Sequence, residues 1–313
     1  MLFAVHQKIA CLNQGFLGRI SYLLNSIMTR PTSKVPFDTL LLEGGSLRCA
    51  FTAGVLDAFA AVDFRDFERI YAVSAGAMAA TSFLAGQRKH FIEVATSVIS
   101  DGQFIRFSSA LSEEGIMNLA HLFEHVRHHH PLDFDGAAAN AQNRTVRFVT
   151  TDAETGNPLY LDPVQGNWLR ILWASATLPM VTRGRIKVDG RWMFDGGISD
   201  ALPLEAAIED GAKRILVIRT RPSGLHIQQS WMDYFATYWY RENPAIAALY
   251  ESGHHHYNQA VDRIAEGGKG EFHFLEIAPD HALKSDGYQV HQASLWSDYH
   301  HGLIKGLDVL ASL

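Results

Sequence analysis

Asp38-Thr39-Leu40-Leu41-Leu42-Glu43-Gly44-Gly45 and, further along, Glu68-Arg69-Ile70-Tyr71-Ala72-Val73-Ser74-Ala75-Gly76 follow one plan. In each, an apolar run too short for a helix stops at small residues. Helical periodicity follows, over Ala50–Ala61 after the first and Ala77–Leu84 after the second. Strand, turn and helix, repeated, predict a mainly parallel sheet with helices on both faces. Further strands are expected at Thr145–Thr151, Arg185–Val188, Arg214–Thr220 and Phe272–Ile277. Helices are expected at Trp168–Ala176, Leu204–Asp210 and His291–Leu313.

Outside this alternation the pattern changes. Residues 1–35 read as an N-terminal amphipathic helix and linker: Ile9, Leu12, Phe16, Ile20, Leu23 and Ile27 share one helix face, and Pro31–Pro36 interrupts it. Lys8, Arg19 and Arg30 accompany that face with no acid before Asp38. The helix therefore either packs on the domain or rests on an anionic lipid surface, a peripheral membrane contact through residues 1–30. Residues 36–313 form the main domain. Within it, 86–143 reads as a helical insertion over the sheet, suited to a cap or channel wall, and 223–313 as a helical extension with one strand. Trp231, Tyr234, Phe235, Tyr238, Trp239, Tyr240 and Tyr250 recur at helical spacing, which is expected to be packing.

The 313 residues are 47% hydrophobic and 19% charged, ordinary for a globular chain, and the net charge of −6 argues against nucleic acid as a partner. No apolar run approaches the roughly 18 residues that span a bilayer. Two cysteines, Cys11 and Cys49, make no disulfide framework. With no cationic stretch ahead of a continuous apolar core at the N-terminus, a cytoplasmic location is expected.

Two of the turns suit chemistry. Serine is a weak nucleophile that must be exposed, deprotonated and given a site for the oxyanion. Ser74, between a strand and a helix with Ala72, Ala75, Gly76 and Ala77 around it, fits a nucleophile elbow, although serine also caps ordinary helices. Gly44 and Gly45 let backbone N–H groups turn toward a ligand ahead of a helix. A plain turn or a phosphate-binding turn competes, but neither G-x-G-x-x-G nor a lysine-serine P-loop ending is present. Asp195, before Gly196-Gly197, can approach another loop closely. Asp189-Gly190 is the better hairpin turn. Sixteen histidines leave a Ser-His-Asp triad open, but the runs 128–130, 254–256 and 300–301 read as solvated surface, and no H-E-x-x-H marks a metal site.

Taken in order, Gly44-Gly45-Ser46-Leu47-Arg48-Cys49, Ala72-Val73-Ser74-Ala75-Gly76, Trp173-Ala174-Ser175-Ala176-Thr177-Leu178-Pro179 and Asp195-Gly196-Gly197 resemble the patatin-like phospholipase family, in an uncharacterised bacterial branch. The resemblance spans about Asp38 to Thr220. It implies a three-layer α/β/α fold with a mainly parallel central sheet and a serine–aspartate dyad. Ser74 would be the nucleophile and Asp195 its base. Gly44, Gly45 and Ser46 would supply the oxyanion hole, and Arg48 would steady that loop or meet a lipid phosphate. No metal or other cofactor is called for. Ser46, Cys49 and Ala72 stand where the family pattern has glycine. A donor N–H needs glycine only where φ is positive, so Ser46 can still serve. The expected activity is cleavage of acyl-lipid esters of the phospholipase A or lysophospholipase type through an acyl-enzyme. An esterase, an acyltransferase or a silent lipid-binding relative are the alternatives.

Overall fold

The computed structural model describes residues 36–106, 115–182, 184–286 and 290–313, together with Gly18 and Leu23. The amphipathic helix and linker expected over residues 1–35 otherwise lie outside the described residues. Gly18 and Leu23 are helical, and Leu23 is buried in the main core.

An eight-stranded sheet forms the middle layer. Its strands are β1 (Thr39–Leu42), β2 (Arg69–Val73), β3 (Thr145–Asp152), β4 (Pro158–Leu161), β5 (Ile186–Val188), β6 (Arg191–Asp195), β7 (Arg214–Ile218) and β8 (His273–Ile277). The spatial order is β5-β6-β3-β2-β1-β7-β8, with β4 also on β3. β3, β2, β1, β7 and β8 run parallel, and β4 and β6 join β3 antiparallel. The fold is therefore the expected α/β/α sandwich.

Ten helices are described: α1 (Cys49–Ala61), α2 (Ala75–Leu84), α3 (His90–Ser100), α4 (Leu119–His129), α5 (Phe134–Ala141), α6 (Trp168–Ser175), α7 (Leu204–Glu209), α8 (Trp231–Trp239), α9 (Pro244–Ala265) and α10 (Gln292–Ser312). The period-2 pleat sorts the strand residues between them. Leu40, Leu42, Ile70, Ala72, Leu216 and Ile218 face the core under α1, α2, α3 and α10. Leu41, Tyr71, Ile215 and Val217 face α7 and α9. The central strands β1, β2 and β7 are buried on both faces, which is why they read as largely apolar runs. α10 docks on α1 almost backbone to backbone: a Cβ on Gly302 would overlap the Phe51 carbonyl, and one on Gly54 the Tyr299 carbonyl.

Two expectations need correction. β4 and β6 have no counterpart among the expected strands: each pairs antiparallel, β4 is only partly buried along its length, and Arg191 and Trp192 of β6 point to solvent. Asp189 and Gly190 do form the tight turn between β5 and β6, both at positive φ. The aromatic stretch divides. Tyr240 and Tyr250 stack on each other and Tyr240 meets Phe194, as packing predicts. Trp231, Tyr234, Phe235, Tyr238 and Trp239 are exposed, at 49–73% of their free surface, and Ala236 is the buried residue of α8. Helical spacing sets which residues share a face but not whether that face is covered. Among the described residues no helix is long and apolar enough to cross a membrane.

Candidate active site

β1 and β7 lie side by side at the centre of the sheet, and the chain leaves their C-terminal ends in opposite directions. That switch point is where an open α/β sheet forms a crevice. Register brings three loops to it. Leu42 pairs with Ala72 and Val73 with Val149, so Gly44 and Ser74 emerge next to each other. Thr150 pairs with Asp195, which lifts the carboxyl to the level of Ser74 from across β3.

Ser74 sits at φ 54°, ψ −126°, a left-handed conformation between β2 and α2. The turn is tight: a Cβ on Gly76 would lie 2.7 Å from the Glu43 carbonyl oxygen. The Ser74 N–H donates to Ser175 Oγ at 2.9 Å, and Ser175 Oγ donates to the Val149 carbonyl at 2.7 Å, so the bent backbone is tied to β3. Ser74 Oγ donates to Asp195 Oδ2 at 2.6 Å. Asp195 is itself held at three points. Its Oδ1 accepts from the Gly197 N–H at 2.7 Å, its N–H donates to the Thr177 carbonyl, and its carbonyl accepts from Thr151 Oγ1. Gly196 is obligatory beside it, since a Cβ would fall 2.3 Å from the Val149 oxygen.

Burial pushes the Asp195 carboxyl up to about 6, and the hydrogen bonds from Ser74 and Gly197 pull part of the way back. That range suits a group that takes a proton and returns it near neutrality. His90 also reaches the cavity, but its ring nitrogens are engaged by Ser82 Oγ and the His130 carbonyl. The hydroxyl of Ser74 meets a carboxylate directly, and among the described residues no histidine hydrogen-bonds it as a triad would require.

The second loop runs from Glu43 to Arg48. A Cβ on Gly44 would sit 3.1 Å from Ser74 Cβ, so glycine there allows the loop to abut the serine. Among the described residues no acceptor takes the N–H groups of Gly44, Gly45 or Ser46. Ser46 has φ 51°, so the condition attached to it in the sequence is met: this is a glycine-favouring position. Arg48 pairs with Asp286 at 2.5 Å and reaches Thr220 Oγ1 at 3.4 Å, contacts that brace the loop. Cys49 is buried, its thiol pushed up to about 12 by desolvation, and it is inert as a nucleophile.

Beneath this loop lies a polar network that sequence reasoning missed. Glu43 Oε2 accepts from the Thr220 N–H at 2.6 Å, and Glu43 Oε1 accepts from Tyr257 Oη at 2.7 Å. The fully buried Arg219 donates to Tyr257 Oη at 2.9 Å and to Glu276 Oε1 at 2.7 Å. A lone arginine ending an apolar strand was its one legible signal, since an unpaired buried cation is too costly to keep.

The crevice opens into a cavity of about 400 Å³ lined by Ser74, Asp195 and Gly45 at one end. Its other walls are apolar: Met78 of α2, Phe91, Val94 and Val98 of α3, and Leu122 and Phe123 of α4. Residues 86–143 thus contribute the cavity wall. A smaller cavity of about 140 Å³ shares Gly197, Ile198 and Tyr257 with it and is lined by Asp233, Tyr250 and His254.

The sequence model of the patatin-like phospholipases matches residues 40–208, the span that carries both loops and the aspartate. The chain belongs to the patatin-like phospholipase family. A domain of unknown function, DUF6363, matches residues 243–313 of this patatin-like chain. The uncharacterised protein YjjU of Escherichia coli (strain K12) is 29% identical over 301 residues, which cover 94% of this chain and 84% of that protein. The crystal structure of VipD from Legionella pneumophila is similar at 12% identity and a TM-score of 0.43, over 88% of this chain and 67% of that one. The three departures from the patatin-like pattern can now be separated. Ala72 is fully buried in the core and Cys49 packs beneath the loop, donating to the Glu43 carbonyl, so each side chain is accommodated. Ser46 alone occupies a left-handed backbone position.

Proposed function

We propose that this patatin-like protein hydrolyses acyl-lipid esters, in the manner of a phospholipase A or lysophospholipase, with Ser74 as nucleophile and Asp195 as base. The observation that carries the reading is the 2.6 Å hydrogen bond from Ser74 Oγ to a buried, pKa-raised carboxylate at the end of an apolar cavity. Ser74 Oγ attacks the ester carbonyl and its proton passes to Asp195. The carbonyl electrons move to oxygen, toward the N–H groups of Gly45 and Ser46 in the loop that Gly44 allows to close on the serine. Collapse of the adduct expels the alcohol, which takes the proton from Asp195 and leaves an acyl-serine. Asp195 then takes a proton from water as its oxygen bonds to the acyl carbon; the acyl–Oγ bond breaks, the fatty acid leaves, and Asp195 returns the proton to Ser74 Oγ. Protein groups and water account for every proton in this scheme.

The apolar walls favour an acyl chain over a small acid. The adjoining, more polar cavity takes the leaving head group. Arg48, committed to Asp286, holds the oxyanion loop in shape instead of meeting a phosphate. Contact of residues 1–30 with an anionic membrane surface, and a cytoplasmic location, remain part of the same proposal.

A fluorophosphonate probe tests it. The folded wild-type chain is expected to label, and Ser74→Ala, with unchanged circular dichroism, to lose all labelling. Folded wild-type protein that stays unlabelled would overturn the hydrolase reading and leave the silent lipid-binding relative.

A further inference from the structure

We infer that Asp101, His121 and His125 form a binding site for a divalent transition-metal ion, of the zinc class, that ties α3 to α4. Asp101 caps the C-terminal end of α3, and His121 and His125 lie one turn apart on α4. Asp101 Oδ2 is 2.7 Å from His121 Nε2 and 3.6 Å from His125 Nδ1, and the three ligand atoms lie within 4.8 Å of one another. A small shift outward around one ion gives each a normal bond.

A second observation separates this cluster from an ordinary surface ion pair. In two of the three residues the atom that would not bind the ion is already held. His125 Nε2 is 2.8 Å from Ser97 Oγ, which turns Nδ1 toward Asp101. Asp101 Oδ1 accepts from the Gln103 N–H at 2.8 Å, which leaves Oδ2 for the histidines. Such outer hydrogen bonds are how proteins aim metal ligands. Two imidazoles and one carboxylate favour zinc, cobalt, nickel or copper over magnesium or calcium. Asp101 and His121 are partly exposed, which leaves the remaining position to water. The surface reading of the 128–130 run rested on neighbouring histidines pointing apart; His121 and His125, four residues apart, share a face.

The ion would bind outside the catalytic loops but on the two helices that wall the apolar cavity, so it would staple that wall. The site stands whether or not the chain is a hydrolase. The test is calorimetric titration of the full chain with zinc chloride. One equivalent is expected to bind at about micromolar affinity or tighter and to raise the melting temperature. Asp101→Asn, His121→Asn and His125→Asn are each expected to weaken binding at least tenfold. Ser97→Ala, which removes no ligand, is expected to weaken it about tenfold. His254→Asn, in another histidine run, is expected to bind as wild type. All five positions are outside the buried core, and circular dichroism checks their folding. No binding of one equivalent, or undiminished binding by His121→Asn and His125→Asn, would overturn the site. So would loss of binding in His254→Asn.

Discussion

The loops that leave β1 and β2 each hold a serine at almost the same positive φ, 51° at Ser46 and 54° at Ser74. At Ser74 the strain has a use. The bend puts Oγ against Asp195, and Ser175 ties the backbone down. At Ser46 the side chain is exposed and, among the described residues, meets Met117 Sδ alone, at 3.9 Å. Left-handed backbone costs an ordinary residue about 1–2 kcal/mol. At the elbow the bend orients the Ser74 hydroxyl toward a carboxylate; the neighbouring loop merely tolerates the strain. Strain is informative when the side chain it aims has a partner.

The comparison can be broken most strongly through that partner. Asp195→Asn is expected to lower kcat/KM on a soluble short-chain ester by roughly 10³-fold or more, since the serine keeps its geometry and loses its base. The same change is expected to raise the melting temperature by a few degrees. With a folded pKa of about 6 against about 4 unfolded, the Asp195 contribution to stability is fully present below about pH 4 and lost as the pH rises through 6. At pH 7 the buried carboxylate therefore costs roughly 3 kcal/mol, which a neutral amide avoids. An Asn variant that is both inactive and less stable would count against burial as the source of the raised pKa.

Gly45→Ala probes the other loop. Its Cβ would lie 2.6 Å from Thr220 Oγ1, so the loop must move, and kcat is expected to fall by about 10²-fold, as for loss of one oxyanion donor. Undiminished turnover would separate this loop from the chemistry. In the wild type, kcat/KM should fall about tenfold for each unit below pH 6, with a plateau above, as Asp195 takes up a proton. Ser46→Gly should have the smallest effect. It is expected to relieve part of the strain, raise the melting temperature by about one or two degrees and leave kcat/KM within about twofold. A large loss of activity would give the Ser46 side chain a role that Ser74 alone has here.

How much of this could be read along the chain follows from the range of each interaction. β1, β2 and β7 were legible because strands covered on both faces are apolar almost throughout. β4 and β6 were not, because β4 is a short strand only partly buried along its length and β6 opens on two exposed residues. The exposure of α8 was also hidden: the spacing of Trp231, Tyr234, Tyr238 and Trp239 is the same whether the face is covered or bare. Ser74 and Asp195 were legible as members of two motifs in order. The hydrogen bond between them depends on the registers of β2 with β3 and of β3 with β6. Glu43 and Tyr257, hydrogen-bonded across most of the chain, left no local trace.

Apolar periodicity and small-residue turns determined the layered sheet and the two loops, and the ordered motifs that resemble the patatin-like family singled out Ser74 and Asp195. These depend on neighbours along the backbone. Only the tertiary structure decided that Asp195 is desolvated, that Ser46 is left-handed, that Arg48 is spent on Asp286 and that Asp101 meets two histidines. Each of those is a matter of distance and burial between segments remote in sequence, and chain periodicity carries no information about either.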